Sequence, residues 1–278
     1  MMNKKIIWIM FLLITVIFTA VFLGGFIISI NITSSNIDDE GVQEEPLEGA
    51  VTDQEIMDNE IGEDDSQEGD MFTILILGDS IGAGVGDDTG LGLGKGYGKL
   101  IEKDISREII VVNLAQPGAE ISDMMKVLDD DETIRIISSA DIVLISIGGN
   151  DVNHLMNSRS QVSTSNYEET LEIYLENLGK AIAFIKENNS DVQRAIIGLY
   201  NPYGDEVDEE TREMLLNWNY RTELLISSYP NSVYIPIHDL FKYNLDEYLT
   251  IDDFHPSADG YNAIVERLYK VLNGEEKQ

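Results

Sequence analysis

The sequence predicts a three-layer α/β/α domain, and three observations predict it. From Phe72 onward, short runs rich in β-branched residues alternate with segments whose apolar positions recur at a helical period. The short runs are apolar throughout, as expected of strands buried on both faces of a parallel sheet. Gly, Asn or Pro bounds them, marking where the chain turns. Such alternation implies right-handed βαβ units with helices on both sides of the sheet.

In chain order, strands are expected at 72–77, 109–114, 141–147, 195–199 and 233–237. Helices are expected between and after them at 97–104, 121–128, 167–188, 209–228 and 258–272. The clearest helix is 167–188, where Leu171, Tyr174, Leu175, Leu178, Ala181, Ile182 and Ile185 keep one apolar face. No internal repeat and no second boundary interrupts 71–278, so one domain of about 200 residues is expected.

The first seventy residues read differently. Lys4 and Lys5 precede Ile6 to Ile30, a stretch without a charged residue. A helix of about 20 apolar residues crosses a bilayer core. A signal peptide has a shorter apolar region and a small-residue cleavage site. Thr19-Ala20-Val21 and Leu23-Gly24-Gly25 are poor versions of such a site, so 1–30 is expected to be an uncleaved membrane anchor rather than a cleaved signal. The two lysines orient it with the remaining chain outside the cell. Residues 31–70 hold fifteen Asp or Glu and no Lys or Arg, which reads as an acidic, solvated linker. The domain at 71–278 still carries 36 acids against 16 bases. That balance argues against a nucleic-acid partner, because phosphate contacts need clustered Lys and Arg. The chain has no cysteine, hence no disulfide, thiolate metal site or lipidated cysteine.

In open parallel sheets ligands bind beyond the carboxyl ends of the strands. The unusual residues of this chain fall there. Gly78-Asp79-Ser80 follows the first expected strand, Gln116-Pro117-Gly118 the second and Gly148-Gly149-Asn150-Asp151 the third, while Asp252-Asp253-Phe254-His255-Pro256 precedes the last helix. The glycines after Ser80 suggest a phosphate cradle, but no register gives G-x-G-x-x-G, and Lys95 is followed by Gly96 rather than Ser or Thr. Ser80 as a nucleophile fares better. A serine hydroxyl needs a base, an acid to orient that base and donors for the oxyanion. Of the three histidines, His154, His238 and His255, the last lies three residues after Asp252, which can reach Nδ1 and leave Nε2 for Ser80. Gly78-Asp79-Ser80-Ile81-Gly82 also fits the G-x-S-x-G elbow. That elbow follows a mid-sheet strand, with acid and base on separate loops, whereas acid and base share one turn here.

Four blocks, Gly78-Asp79-Ser80-Ile81, Asn113-Leu114-Ala115-Gln116-Pro117-Gly118, Gly148-Gly149-Asn150-Asp151 and Asp252-Asp253-Phe254-His255-Pro256, closely resemble those of the GDSL family of esterases and lipases, the SGNH hydrolases. They occur in the family's order, with isoleucine where leucine is usual in the first. The resemblance implies a flavodoxin-like sheet of five parallel strands. It also implies Ser80 as nucleophile, His255 as base and Asp252 as orienting acid. The oxyanion hole would comprise the Ser80 and Gly118 backbone N–H groups and the Asn150 amide. Gly118 as a turn glycine and Asn150 as an Asx-turn former are the local alternatives.

Asp79 is expected to hydrogen-bond its own loop and Asp151 to buttress Asn150. The polar segment 152–166, with His154, Leu155 and Met156, is expected to form a mobile substrate rim, with Tyr203 in a second rim at 201–204. Neither segment carries a long apolar patch, so a small or medium acyl group is favoured. O-acetylated wall glycan, a lysophospholipid and a thioester are the substrate classes in view, with no metal, no cofactor and no protein partner. A non-catalytic surface-binding domain and a flavin- or nucleotide-binding module are the readings from other classes.

Overall fold

The computed structural model describes residues 71–157 and 164–274. The expected anchor at 1–30, the linker at 31–70 and part of the expected 152–166 rim lie outside the described residues. Among the described residues no helix is long and apolar enough to cross a membrane.

Strands β1 (Met71–Gly78), β2 (Glu108–Asn113), β3 (Ile142–Ser146), β4 (Gln193–Ile197) and β5 (Ser232–Ile235) form one parallel sheet. Its order is β2-β1-β3-β4-β5. That is the flavodoxin-like arrangement. The chain runs from β1 out to β2, then crosses back to β3 and continues to β5. The reversal places a switch point at the carboxyl ends of β1 and β3, which pair in register from Ile74↔Ile142 to Gly78↔Ser146.

The helices are α1 (Ser80–Ala83), α2 (Gly92–Ile101), α3 (Ile121–Leu128), α4 (Asp131–Ser139), α5 (Gly149–Asn157), α6 (Thr164–Asn188), α7 (Glu209–Ile226), α8 (His238–Lys242), α9 (Leu245–Tyr248) and α10 (Ala258–Asn273). β1 feeds two cores because successive side chains point to opposite faces. Leu75 and Leu77 pack with Met124, Leu178, Ile182 and Trp218 on one side. Ile74 and Ile76 pack with Tyr97, Phe241, Tyr261 and Ile264 on the other. Each such buried aliphatic chain contributes about 1.5–3 kcal/mol, so the strand that delivers Ser80 is firmly held from both faces.

Three differences from the expected elements have physical causes. The helix expected at 97–104 begins at Gly92, because glycine's poor helix propensity disguises the start. Its glycines bring α2 close to the sheet: a Cβ on Gly94 would lie 2.5 Å from Val111 Cγ1 and 2.6 Å from Ile76 Cδ1. The expected loop after β3 is instead α5 through residue 157. The strand expected at 233–237 closes at Ile235, and His238 opens α8.

Candidate active site

Ser80 is set by a tight exit from β1. Gly78 has φ +124°, and a Cβ there would fall 1.8 Å from the Ser146 carbonyl oxygen. Only glycine passes. Asp79 then caps α1, its carboxylate accepting from the Ile81 N–H at 3.0 Å and from Ser146 Oγ at 2.8 Å. The expected loop-binding role of Asp79 therefore extends across to β3. Burial pushes its carboxyl up to about 6, against these hydrogen bonds. Ser80 opens α1, where a backbone N–H has no acceptor within the helix.

His255 reaches Ser80 from the far end of the chain. Its Nε2 lies 3.0 Å from Ser80 Oγ, and its Nδ1 lies 2.7 Å from Asp252 Oδ2. An ionised carboxylate only accepts, so Nδ1 carries the proton and Nε2 is left to accept from the serine hydroxyl. Asp252 Oδ1 also accepts from Thr250 Oγ1 at 2.6 Å and from the Phe254 and His255 N–H groups at 2.9 Å each. The bond with His255 contributes most to holding this carboxyl well below the usual carboxylate range. Asp253, at φ +55°, makes the turn that wraps the chain around Asp252. The loop is closed by Thr250 N–H donating to the His255 carbonyl and anchored where Tyr200 Oη donates to the Phe254 carbonyl at 2.5 Å. The single Tyr261 Oη hydrogen is shared between the Val85 carbonyl at 2.9 Å and the Ile81 carbonyl at 3.2 Å, so α10 holds the serine's own loop too.

The segments that carry the other two expected oxyanion donors are joined through Ala119. Gly118 has φ +82° in a Gln116–Ala119 turn closed by a 3.0 Å hydrogen bond, the left-handed conformation that a type II turn requires. Asn150 Nδ2 donates to the Ala119 carbonyl at 2.9 Å, which uses one of its two amide hydrogens. Asp151 does not bond Asn150. It accepts the Ile121 N–H at 3.2 and 3.3 Å, fastening the Gly118 segment from behind. Burial pushes the Asp151 carboxyl up to about 7, with Glu120 and Asp79 adding to the rise and the Ile121 N–H opposing it.

A largely apolar cavity opens beside Ser80, walled by Val152, Leu199, Pro202, Tyr203, Val207 and Leu215, with Asn150 and Phe254 also lining it. Tyr203 is where the sequence places it, on the rim. His154 and Leu155 are not. His154 is mostly exposed and pairs with Glu120 at 2.8 Å, beside a separate shallow depression, and Leu155 is buried in the core. The cause is the helical form of 149–157. Residues three and four apart share a face, so Gly149, Asn150, Val152 and Asn153 look into the cavity while His154 and Leu155 turn away. Met156 falls outside the described side chains. Sequence reasoning missed Val207, Thr211 and Leu215, although their four-residue spacing is a signal. It also missed Asn219, whose side-chain amide bonds both backbone groups of Leu199 and fixes that wall.

The model of the GDSL-like lipase/acylhydrolase family matches residues 74–268. The chain belongs to that family. Like the family, it is a carboxylic ester hydrolase. Its relatives include the spore germination lipase LipC of Bacillus licheniformis, 28% identical, covering 69% of this chain and 92% of the relative. YpmR of Bacillus subtilis is 29% identical, covering 73% of this chain and 82% of the relative. The crystal structure of the lipase Lip_vut3 from a goat rumen metagenome superposes with a TM-score of 0.67 at 26% identity, covering 74% of this chain and 99% of that one. The acetylxylan esterase Axe2 of Geobacillus stearothermophilus shares the fold at a TM-score of 0.57 and 20% identity, covering 73% and 95%. A GDSL-type domain thus accounts for nearly all of the described chain.

Proposed function

We propose that this GDSL-type domain is an extracytoplasmic serine esterase that works through an acyl-Ser80 intermediate. The observation that carries the reading is the unbroken chain of hydrogen bonds from Asp252 through His255 to Ser80, at 2.7 and 3.0 Å. Ser80 Oγ attacks the ester carbonyl carbon as its proton passes to His255 Nε2. The carbonyl oxygen becomes an oxyanion received by the Ser80 and Gly118 N–H groups and the second amide hydrogen of Asn150. Collapse expels the alcohol, which takes the proton from His255, and leaves the acyl group on Ser80. Water then attacks the acyl carbon, giving its proton to His255, and the acid leaves as Ser80 regains a proton. Asp252 orients the imidazole and stabilises its charged form without taking the proton.

The apolar wall of Val152, Leu199, Val207 and Leu215 supports an acyl chain of small to medium length. Within that reading a lysophospholipid-type ester fits the wall better than an O-acetylated wall glycan. The name of LipC, a lipase, points the same way. A thioester would meet the same groups. The extracytoplasmic placement rests on the Lys4-Lys5 flank, the uncharged stretch to Ile30 and the acidic linker beyond it. The reading is tested with full-length protein on p-nitrophenyl acetate, butyrate, octanoate and palmitate. The expected kcat/KM peaks at butyrate or octanoate. No turnover of any ester, or a steady rise to palmitate, contradicts it.

A further inference from the structure

The domain is acidic, yet an arginine lines the Ser80 cavity. Arg212, on α7, lines it beside Val207, Thr211 and Leu215. Among the described arginines it is the one without a close acceptor. Arg107 reaches Asp141 at 2.7 Å, Arg221 reaches Glu172 at 2.6 Å, Arg267 reaches Asp239 at 2.7 Å, Arg194 reaches Ser232 at 2.9 Å, and Arg135 pairs with Glu132. Arg212 has only the Val207 carbonyl at 3.4 Å and the Asp205 carboxylate at 3.9 Å, and Asp205 is fully exposed to water. A guanidinium carries five N–H donors, so most of its donor capacity is unspent. Among the described residues the only other charged side chain in the cavity wall is Asp79, which is buried and engaged by Ser146 and Ile81.

We propose that Arg212 is a specificity-determining residue that receives an anionic group, phosphate or carboxylate, carried on the same molecule as the scissile ester. The proposal rests on the hydrolase reading above and adds the substrate's charge to it. A planar guanidinium binds either oxyanion through paired N–H donors, which gives direction as well as attraction. The surrounding acidic surface repels anions, but charges beyond about 8 Å are largely screened at physiological ionic strength. Recognition therefore falls to the local cation. An apolar wall and one cation together fit an amphiphile such as an acylated glycerol phosphate or an acylated hydroxy acid. They offer a neutral acetylated sugar nothing comparable.

The test compares full-length wild type, Arg212→Gln and Arg212→Lys on p-nitrophenyl butyrate, 1-octanoylglycerol, 1-octanoylglycerol 3-phosphate and 3-O-octanoylglycerate. Wild type is expected to favour at least one anionic ester over the neutral glyceride by about tenfold or more in kcat/KM, the yield of one charge-assisted hydrogen bond. Which anion wins separates a phosphate source from a carboxylate source. Arg212→Gln brings the anionic-to-neutral ratio to about one, chiefly through KM, and Arg212→Lys keeps part of it. The ratio is internal to each protein, so a partly unfolded variant does not disturb it. A wild-type ratio near one, or a ratio that survives in Arg212→Gln, overturns the proposal while leaving the hydrolase reading intact. No turnover of p-nitrophenyl butyrate overturns both.

Discussion

The loop that carries Asp252 and the helix starts after β1 and β3 that carry Asp79 and Asp151 treat a carboxylate in opposite ways. Asp252 is half exposed, accepts from two backbone N–H groups, a threonine hydroxyl and an imidazole, and is held well below the usual range. Asp79 and Asp151 are buried without a cation and are pushed up to about 6 and about 7. The difference follows from what each does in the proposed mechanism. A carboxylate that stabilises an imidazolium has to stay charged, and solvent with several donors keeps it so. A carboxylate that fixes a loop needs only its acceptor oxygens.

Breaking the charged side of this comparison has the largest effect. Asp252→Asn is expected to lower kcat by about 10,000-fold, because the imidazole loses its orienting charge and its correct tautomer. A steady-state assay on p-nitrophenyl butyrate measures it, and a loss under tenfold would remove Asp252 from the proposed role. Asn150 lies between the two environments, bonded to Ala119 and lining the cavity. Asn150→Ala should lower kcat by roughly 100- to 1,000-fold with a smaller change in KM, as loss of one oxyanion donor does.

The smallest effect sharpens the buried side and concerns stability. The folded Asp151 carboxyl keeps its proton up to about 7, while the unfolded one loses it near 3.8. The folded state binds more protons between these values, so stability falls as pH rises through that window and levels off above it. Asp151→Asn keeps an oxygen for the Ile121 N–H and removes this cost. Its Tm should exceed that of wild type by a growing margin from pH 4 to pH 7 and by a constant margin above. Each kcal/mol should appear as roughly 2–4 °C for a domain of this size. Equal Tm curves at pH 8 would show that Asp151 is already well solvated.

What was legible in the sequence was chemistry at strand ends. Ser80, Asn150, Asp252 and His255 are residue types that few structural needs call for together, and the alternation of elements sends each to one rim. The parallel five-stranded sheet was legible for the same reason: buried strands such as 72–77 have no polar alternation to confuse them. Shape was less legible. The apolar wall is gathered from distant segments, Val152 on α5, Leu199, Pro202 and Tyr203 after β4, Val207 just before α7 and Leu215 on it, so neither expected rim showed a long apolar patch although their sum is one. Treating 152–166 as loop pointed His154 and Leu155 at substrate, and a helical face reassigns that place to Val152 and Asn153. In α2 the glycines concealed a helix because the tight seat that calls for them lies on Val111 and Ile76, far away in sequence.

The central claim is that Ser80 is the nucleophile, and a fluorophosphonate tests it most directly. At neutral pH the full-length protein should take up one phosphonyl group per chain on Ser80, located by peptide mass spectrometry, with ester hydrolysis lost in step. The Ser80→Ala variant should take up none and turn over no ester. Labelling at another residue, or hydrolysis that survives complete labelling of Ser80, would contradict the account.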